Sequence, residues 1–237
     1  MANKANLDKN QPLKATKYYD IILACFVAFL LISNIAAVKI IDIRGFLTDG
    51  GAILFPLTYI FGDILTEVYG FRYARRAIWT AFGVMAIASI VFLAVGAAPA
   101  GADWGLQSSW DNILGFVPRI VIASLAAFLV GQFINAFVLA KLKVRYGKKK
   151  LWLRLIGSTV VGELFDTAIF TLVAFTASGF MSGPDMVKFI IQGWIFKTVV
   201  EIVLLPVTYR VIAFLKKAEN QDAFDTDTNF TPLSLKV

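Results

Sequence analysis

Six long apolar runs constrain the fold of this chain more than any other feature of its sequence. They cover residues 19–38, 51–68, 74–97, 113–140, 154–178 and 187–215. Each run is too long and continuous for a strand, and a helix needs about 20 apolar residues to cross the hydrocarbon core of a bilayer. We therefore predict an all-α integral membrane protein with six transmembrane helices.

The composition argues against a soluble enzyme. Of the 237 residues, 58% are apolar and 16% are charged, whereas a soluble domain has about 45–50% apolar and about 25% charged residues. The chain has no histidine and a single cysteine, which excludes imidazole metal sites, histidine bases and an internal disulfide framework. We predict no enzymatic activity, no metal and no cofactor.

Basic residues are concentrated on one side of the predicted membrane. They lie in the N-terminal arm, in the 69–76 loop, in the 141–154 connection and at the C-terminal end, while the opposite loops hold only Lys39, Arg44 and Lys188. Because lysine and arginine are retained in the cytoplasm, we predict that both termini are cytoplasmic. Contact with lipid headgroups explains the basic loops better than nucleic-acid binding does.

Three segments follow from this topology. Residues 1–17 form a cytoplasmic N-terminal arm and residues 18–215 form the six-helix transmembrane domain. Residues 216–237 form a cytoplasmic tail, where three aspartates stand among small polar residues. Such a composition is typical of disorder, so we predict a disordered tail.

Seven charged side chains fall inside the predicted spans. Each costs at least about 2.5–3.5 kcal/mol near a helix centre and should face the bundle interior. Several are spaced three or four residues apart, which places them on one helical face. Five acids against two bases predict a site for a cationic or donor-rich ligand, with buried salt bridges as the structural alternative. They are Asp63, Glu67, Arg119, Glu163, Asp166, Lys197 and Glu201.

Side-chain amides accompany these charges in spans one, four and six. Such groups in a bundle are usually interhelical hydrogen bonds, with ligand binding as the alternative. They are Asn34, Gln132, Asn135 and Gln192. Of these, we include Asn34 and Asn135 among the candidate ligand-binding residues.

The two halves of the chain carry a weak repeat. The segment that begins Gly62-Asp63 lies opposite the one that begins Gly162-Glu163, at an offset of 100 positions, and Asn34 and Asn135 precede them at similar distances. Three spans separate the copies, so the copies would cross the membrane in opposite senses. This pattern predicts two inverted three-helix repeats with the substrate at the midplane, although short apolar segments can also be similar by chance.

The same residues resemble a known family. The segment from Phe61 to Gly70, with Ser33-Asn34-Ile35 upstream and the segment from Gly162 to Thr167 downstream, is similar to the bacterial queuosine-precursor transporters of the Vut type. The resemblance covers about residues 18–215. It implies a multi-pass protein of the bacterial inner membrane that imports 7-deazaguanine bases, such as the 7-cyano form preQ0 and the 7-aminomethyl form preQ1, by secondary transport for tRNA modification.

The implied substrate suits the buried carboxylates. A deazaguanine presents a ring N–H and an exocyclic amine that one carboxylate can accept together, and the aminomethyl form adds a cation for a second carboxylate. We predict substrate binding by Asp63, Glu67, Glu163, Asp166, Asn34 and Asn135, and coupling or gating by Lys197 and Glu201. Candidate stacking residues are Tyr59, Phe61, Phe165 and Trp194.

Two other functions remain open at this point. The chain could be the substrate-binding subunit of an energy-coupling-factor importer, to which its six-helix size is suited, and Ala24 and Ala28 could form a close-packing face. It could also be an intramembrane enzyme with paired carboxylates, although it has no known catalytic motif. The predicted partners are a small nucleobase-like substrate and the lipid bilayer, with a homodimer left open.

Overall fold

The computed structural model describes residues 16–37, 39–43, 46–115, 118–147, 150–176, 183–226 and 228–231. The elements within them, in chain order, are α1 (Tyr19–Ala36), β1 (Ile40–Ile43), β2 (Phe46–Asp49), α2 (Phe55–Ile64), α3 (Phe71–Ala97), α4 (Gln107–Trp110), α5 (Pro118–Tyr146), α6 (Leu151–Phe175) and α7 (Gly183–Glu219). The 1–15 part of the predicted N-terminal arm lies outside the described residues.

Six helical segments are long and apolar enough to cross a membrane, as predicted. They are Tyr19–Ala36, Gly50–Tyr69, Phe71–Ala97, Ile122–Tyr146, Leu151–Ala174 and Met186–Glu219. The second segment combines a 3₁₀ turn (Gly50–Ile53), α2 and a π turn (Leu65–Tyr69). It is 76% buried, against 17% for the third, so α2 is the central helix and the others surround it.

The reversal after α2 depends on Gly70. This residue has φ 91°, a backbone conformation that side chains with a Cβ rarely adopt. Its N–H donates to Thr66 O (3.0 Å), and α3 begins at the next residue. Spans two and three are therefore joined by a single glycine, which ties the C-terminal end of the second span closely to α3.

A short β-hairpin joins α1 to α2, which the all-α prediction did not include. Strands β1 and β2 pair antiparallel, with Ile40 opposite Asp49 and Ile43 opposite Phe46. The β-branched isoleucines of β1 favour an extended backbone. The hairpin is confined to the connection between the first two spans and leaves the helical bundle intact.

The beginning of α1 and the end of α7 meet at one end of the bundle, which we call the terminal end. Glu219 accepts hydrogen bonds from the backbone N–H of Lys17 (3.0 Å) and Tyr18 (2.8 Å) and from the hydroxyl of Tyr69 (2.9 Å). Six spans require the two termini to lie on the same side, and these contacts agree with that. The cytoplasmic location of this end stays a prediction.

The described part of the C-terminal region contacts the helical bundle. Residues 216–219 extend α7, and residues 220–226 and 228–231, which we call the tail segment, pack across the terminal end. Asp225 accepts the backbone N–H of Phe71 (3.1 Å), and Arg75 donates to Asn229 O (2.8 Å). Phe230 packs on Phe71, with ring centroids 5.0 Å apart. The disorder predicted for residues 216–237 stays a prediction, and these contacts show which helix ends the described residues pack against.

Candidate functional site

A cluster of buried polar side chains lies between four helices, and we call it the central cluster. Asp63, Gln132, Asn135 and Glu163 are 0% exposed, and Asp166 and Glu201 are nearly so. The side chain of Lys197 is 15% exposed. Members come from α2 (Asp63), α5 (Gln132, Asn135), α6 (Glu163, Asp166) and α7 (Lys197, Glu201). The structure thus brings most of the predicted site residues together, although they are far apart in the sequence.

Glycines allow these helices to approach closely. A Cβ on Gly131 would lie 2.4 Å from the hydroxyl oxygen of Tyr59 and 2.7 Å from Asp166 Cβ, and one on Gly162 would lie 2.8 Å from Asn135 Cβ. Small residues at such crossings let membrane helices pack backbone to backbone. The Gly-acid pattern seen in the sequence therefore positions the acids where α2, α5 and α6 cross.

Asp63 connects α2 to α5. Its Oδ1 accepts a hydrogen bond from Asn135 Nδ2 (2.7 Å). Its other polar neighbours are Ser158, whose hydroxyl donates to Leu155 O (2.9 Å), and Glu201. No donor in the described part of the chain satisfies Asp63 Oδ2 by hydrogen-bond geometry.

Glu163 is the least satisfied carboxylate of the cluster. Neither of its oxygens has a hydrogen-bond partner among the described residues, and Lys197 Nζ lies 4.0 Å from Oε2. A buried carboxylate without donors is costly. Its two oxygens are therefore acceptors available to a ligand.

The two predicted coupling residues on α7 are both tied to α6. Lys197 Nζ lies 2.9 Å from Asp166 Oδ2 and 3.3 Å from Thr167 Oγ1. The same ammonium group lies 4.2 Å from the ring centroid of Phe55. Glu201 Oε1 accepts a hydrogen bond from Thr159. The prediction paired Lys197 with Glu201 by their spacing, whereas the structure connects each of them to the neighbouring helix.

The four candidate aromatic residues lie in different surroundings. Tyr59 is 0% exposed, and its hydroxyl donates to Gly162 O (3.3 Å) inside the central cluster. Trp194 donates to Val160 O (2.9 Å), and Phe61 packs on Phe29 with ring centroids 5.4 Å apart. Phe165 is 46% exposed. Because successive helical residues are about 100° apart, burying Asp166 turns Phe165 away from the cluster, and the structure does not bring it to the site.

Asn34 also lies apart from the central cluster. Its side chain donates to Leu30 O (2.9 Å), one turn earlier in α1. It lines an apolar cavity of about 260 Å³ whose other walls include Leu31, Met85 and Leu125. The structure therefore places Asn34 among apolar side chains, where its amide bonds to a backbone carbonyl of α1.

Glu67 belongs to a second charged cluster at the terminal end, which we call the terminal cluster. Its carboxylate lies 2.6 Å from Arg154 Nη1, 2.6 Å from Lys216 Nζ and 3.5 Å from Lys143 Nζ. Asp222 of the tail segment lies 2.8 Å from Lys143 Nζ and 3.0 Å from Lys216 Nζ. Glu67 was predicted to bind substrate, but here three cations surround it.

The sequence reasoning missed Lys143 and Arg154 as interior residues. Both were assigned to the basic connection between spans, yet each is only 1% exposed. The excess of acidic residues within the spans could have indicated them, because buried acids need basic partners and the spans themselves supply too few. The side chain of the seventh charged residue, Arg119, lies outside the described residues.

The two clusters differ in their ratio of acidic to basic side chains. The terminal cluster combines two acids with three bases, whereas the central cluster combines four acids with one base. The acidic excess predicted for the membrane interior is therefore concentrated in the central cluster. No group of three or more acidic or thiol side chains in the described ranges could hold a metal ion.

Comparisons with known proteins agree with this organisation. Residues 49–211 match the model of the putative vitamin uptake transporter family. The chain belongs to this family. The matched range includes every predicted site residue except Asn34. The family and the curated relatives are named as transporters, so this chain is a multi-pass inner-membrane transporter and not an enzyme. No solved structure matches the chain.

The curated relatives are similar over most of their length. The chain is 32% identical to the probable queuosine precursor transporter of Bacillus subtilis (strain 168), over 75% of this chain and 77% of the relative. It is 29% identical to the queuosine precursor transporter of Escherichia coli (strain K12), over 73% and 76%. A probable queuosine precursor transporter of Haemophilus influenzae (strain ATCC 51907 / DSM 11121 / KW20 / Rd) is 29% identical, over 68% and 67%.

Proposed function

We propose that this protein imports queuosine precursors, 7-deazaguanine bases such as preQ0 and preQ1, by secondary transport, and that the central cluster holds the base. The names of the curated relatives support the substrate class. The observation that carries the proposal is a pair of fully buried carboxylates, Asp63 and Glu163, with oxygen atoms that no described residue satisfies.

The chemistry of the base complements these groups. Its ring N–H and adjacent exocyclic amine are donors, and one carboxylate accepts both in a bidentate arrangement. The aminomethyl form carries a cation, which a second carboxylate of the cluster would pair with. Tyr59, whose hydroxyl donates to the backbone of Gly162 next to Glu163, is the proposed stacking residue. Asp63 and Glu163 are accordingly the residues on which binding depends most strongly.

Transport requires that the central cluster open to each side in turn. In this conformation Asp63 and Glu163 are 0% exposed, and the terminal cluster and tail segment cover the terminal end. Substrate access therefore needs helix movements of the kind known for secondary carriers with a midplane site. Lys197 and Glu201 connect α7 to α6 inside the site, so they are the proposed coupling residues.

The proposal is tested by uptake of labelled preQ0 and preQ1 into liposomes that contain only the purified protein. We expect uptake by the unaltered protein and at least a tenfold loss for Asp63→Asn and for Glu163→Gln. Asp103→Asn, which alters an exposed acid in the connection before α4, is the matched control and should transport normally.

Two results would contradict the proposal. If both substituted proteins transport normally at equal incorporation, the assigned carboxylate roles are wrong. If the unaltered protein binds the bases but does not transport them without partner proteins, it is the binding subunit of a larger importer and not a secondary carrier.

A further inference from the structure

Gln132 is the most poorly satisfied neutral side chain of the central cluster. It is 0% exposed, and within the described part of the chain neither its Oε1 nor its Nε2 has a hydrogen-bond partner. A buried amide normally makes hydrogen bonds, because burying it without them forfeits those it makes with water. The Gln132 amide can therefore hydrogen-bond to a ligand.

The position of Gln132 places its amide beside the proposed carboxylate. It lies on α5, one turn before Asn135, which bonds to Asp63. A Cβ on Gly62 would lie 2.5 Å from Gln132 Oε1, so the amide rests against the bare backbone of the residue that precedes Asp63. The Gln132 amide therefore packs against the turn of α2 that carries Asp63.

Four other donor atoms of the cluster each have a partner already. Asn135 Nδ2 donates to Asp63, and the Tyr59 hydroxyl donates to Gly162 O. Lys197 Nζ pairs with Asp166, and the Thr159 hydroxyl donates to Glu201. Gln132 Nε2 is thus a donor that binding could use without breaking a contact already present.

A 7-deazaguanine needs such a donor. The carboxylates accept its ring N–H and amine, but its ring carbonyl, next to that N–H, is an acceptor that no carboxylate can satisfy. We propose that the side-chain amide of Gln132 donates to this carbonyl oxygen while Asp63 accepts the neighbouring N–H and amine, so that Gln132 is a specificity-determining residue for 6-oxo bases. This inference rests on the proposed function.

The test compares two bases that differ only at the carbonyl. The first is preQ0, and the second is its 6-thio analogue, which keeps the ring N–H and the amine but replaces oxygen with sulfur, a weaker acceptor. Binding of both to the purified full-length protein is measured by displacement of labelled preQ0. We expect the unaltered protein to favour preQ0 by about fivefold to tenfold, the usual worth of one hydrogen bond.

Three variants locate the source of this preference. Gln132→Met keeps the length of the side chain but removes its donor, and it should weaken preQ0 binding while reducing the preference to less than twofold. Asp63→Asn should weaken both bases to a similar extent, because both retain the edge that Asp63 contacts. Gln192→Leu, at an exposed position on α7, should leave both affinities unchanged.

The possible failures are distinguishable. If the unaltered protein binds neither base, the proposed function fails and this inference fails with it. If it binds both bases equally, or if Gln132→Met retains the preference, the role of Gln132 is wrong while the proposed function stands. The comparison of the two bases on unaltered protein is decisive even if a variant does not fold.

Discussion

The side-chain amide of Asn135 donates to Asp63 Oδ1 over 2.7 Å, and both residues are 0% exposed. The contact joins α5 to α2 at the crossing where Gly131 and Gly162 let the helices approach closely. It therefore orients the carboxylate of Asp63, whose second oxygen has no hydrogen-bond donor among the described residues.

This contact predicts energetic coupling between the two side chains. In a double-mutant cycle with Asp63→Ala and Asn135→Ala, we expect an interaction energy of about 1–2 kcal/mol in thermal unfolding of the detergent-solubilised protein. The cycle of Asp63→Ala with Gln192→Ala is the matched control, since Gln192 is exposed, and it should be additive. Additivity in both cycles would mean that the hydrogen bond contributes nothing.

Glu67 is expected to act on stability more than on substrate affinity. Glu67→Gln would leave Lys143, Arg154 and Lys216 without the carboxylate they share, and breaking a buried ion pair costs about 3–5 kcal/mol. We expect a large drop in melting temperature and in the yield of folded protein. Protein that does fold should bind preQ0 with nearly normal affinity. If the variant is stable but has lost its affinity for preQ0, Glu67 binds substrate and this prediction is wrong.

The helix crossing at Gly162 should not tolerate an added methyl group. Gly162→Ala would place a Cβ 2.8 Å from Asn135 Cβ and 3.0 Å from Gly131 O, so α5 and α6 must separate. We expect a loss of about 1–3 kcal/mol in the free energy of unfolding, together with weakened preQ0 binding. Gly83→Ala is the control, because nothing lies within 4 Å of its added Cβ. Equal behaviour of the two variants would contradict close packing at Gly162.

Docking of the tail segment should depend on pH through Asp222. Burial raises the pKa of this carboxyl, but hydrogen bonds from Lys143 and Lys216 outweigh it and hold the pKa below its ordinary value of 3.8. A lowered folded-state pKa means that the contribution of Asp222 to docking is complete above about pH 4 and is lost as the pH falls through the lowered value.

Amide hydrogen exchange in residues 220–226 measures this docking. After correction for the intrinsic exchange rate, we expect protection at pH 7 and less protection at pH 3. Asp222→Asn should already exchange faster at pH 7, whereas Lys217→Gln, at an exposed position near the end of α7, should not. Unchanged protection in Asp222→Asn would show that the ion pairs do not hold the tail segment.

The sequence predicts the elements of this protein better than their contacts. Six apolar runs were sufficient to predict six membrane-spanning helices, because the length of a span follows directly from the thickness of the bilayer. The interior location of Asp63, Glu163, Asp166 and Glu201 also followed from the sequence, since charge in hydrocarbon is too costly to face lipid. The inverted repeat and the orientation of the termini stay predictions.

Only the tertiary structure decided which charges meet. The partners of Glu67 come from α5, α6 and α7, and spacing along one helix cannot reveal neighbours contributed by others. The same limit explains the tail segment, which is polar in composition but packs on helix ends, and Phe165, which is next to Asp166 yet turned outward. Hydropathy determines which residues leave water, whereas helix packing determines which of them become partners.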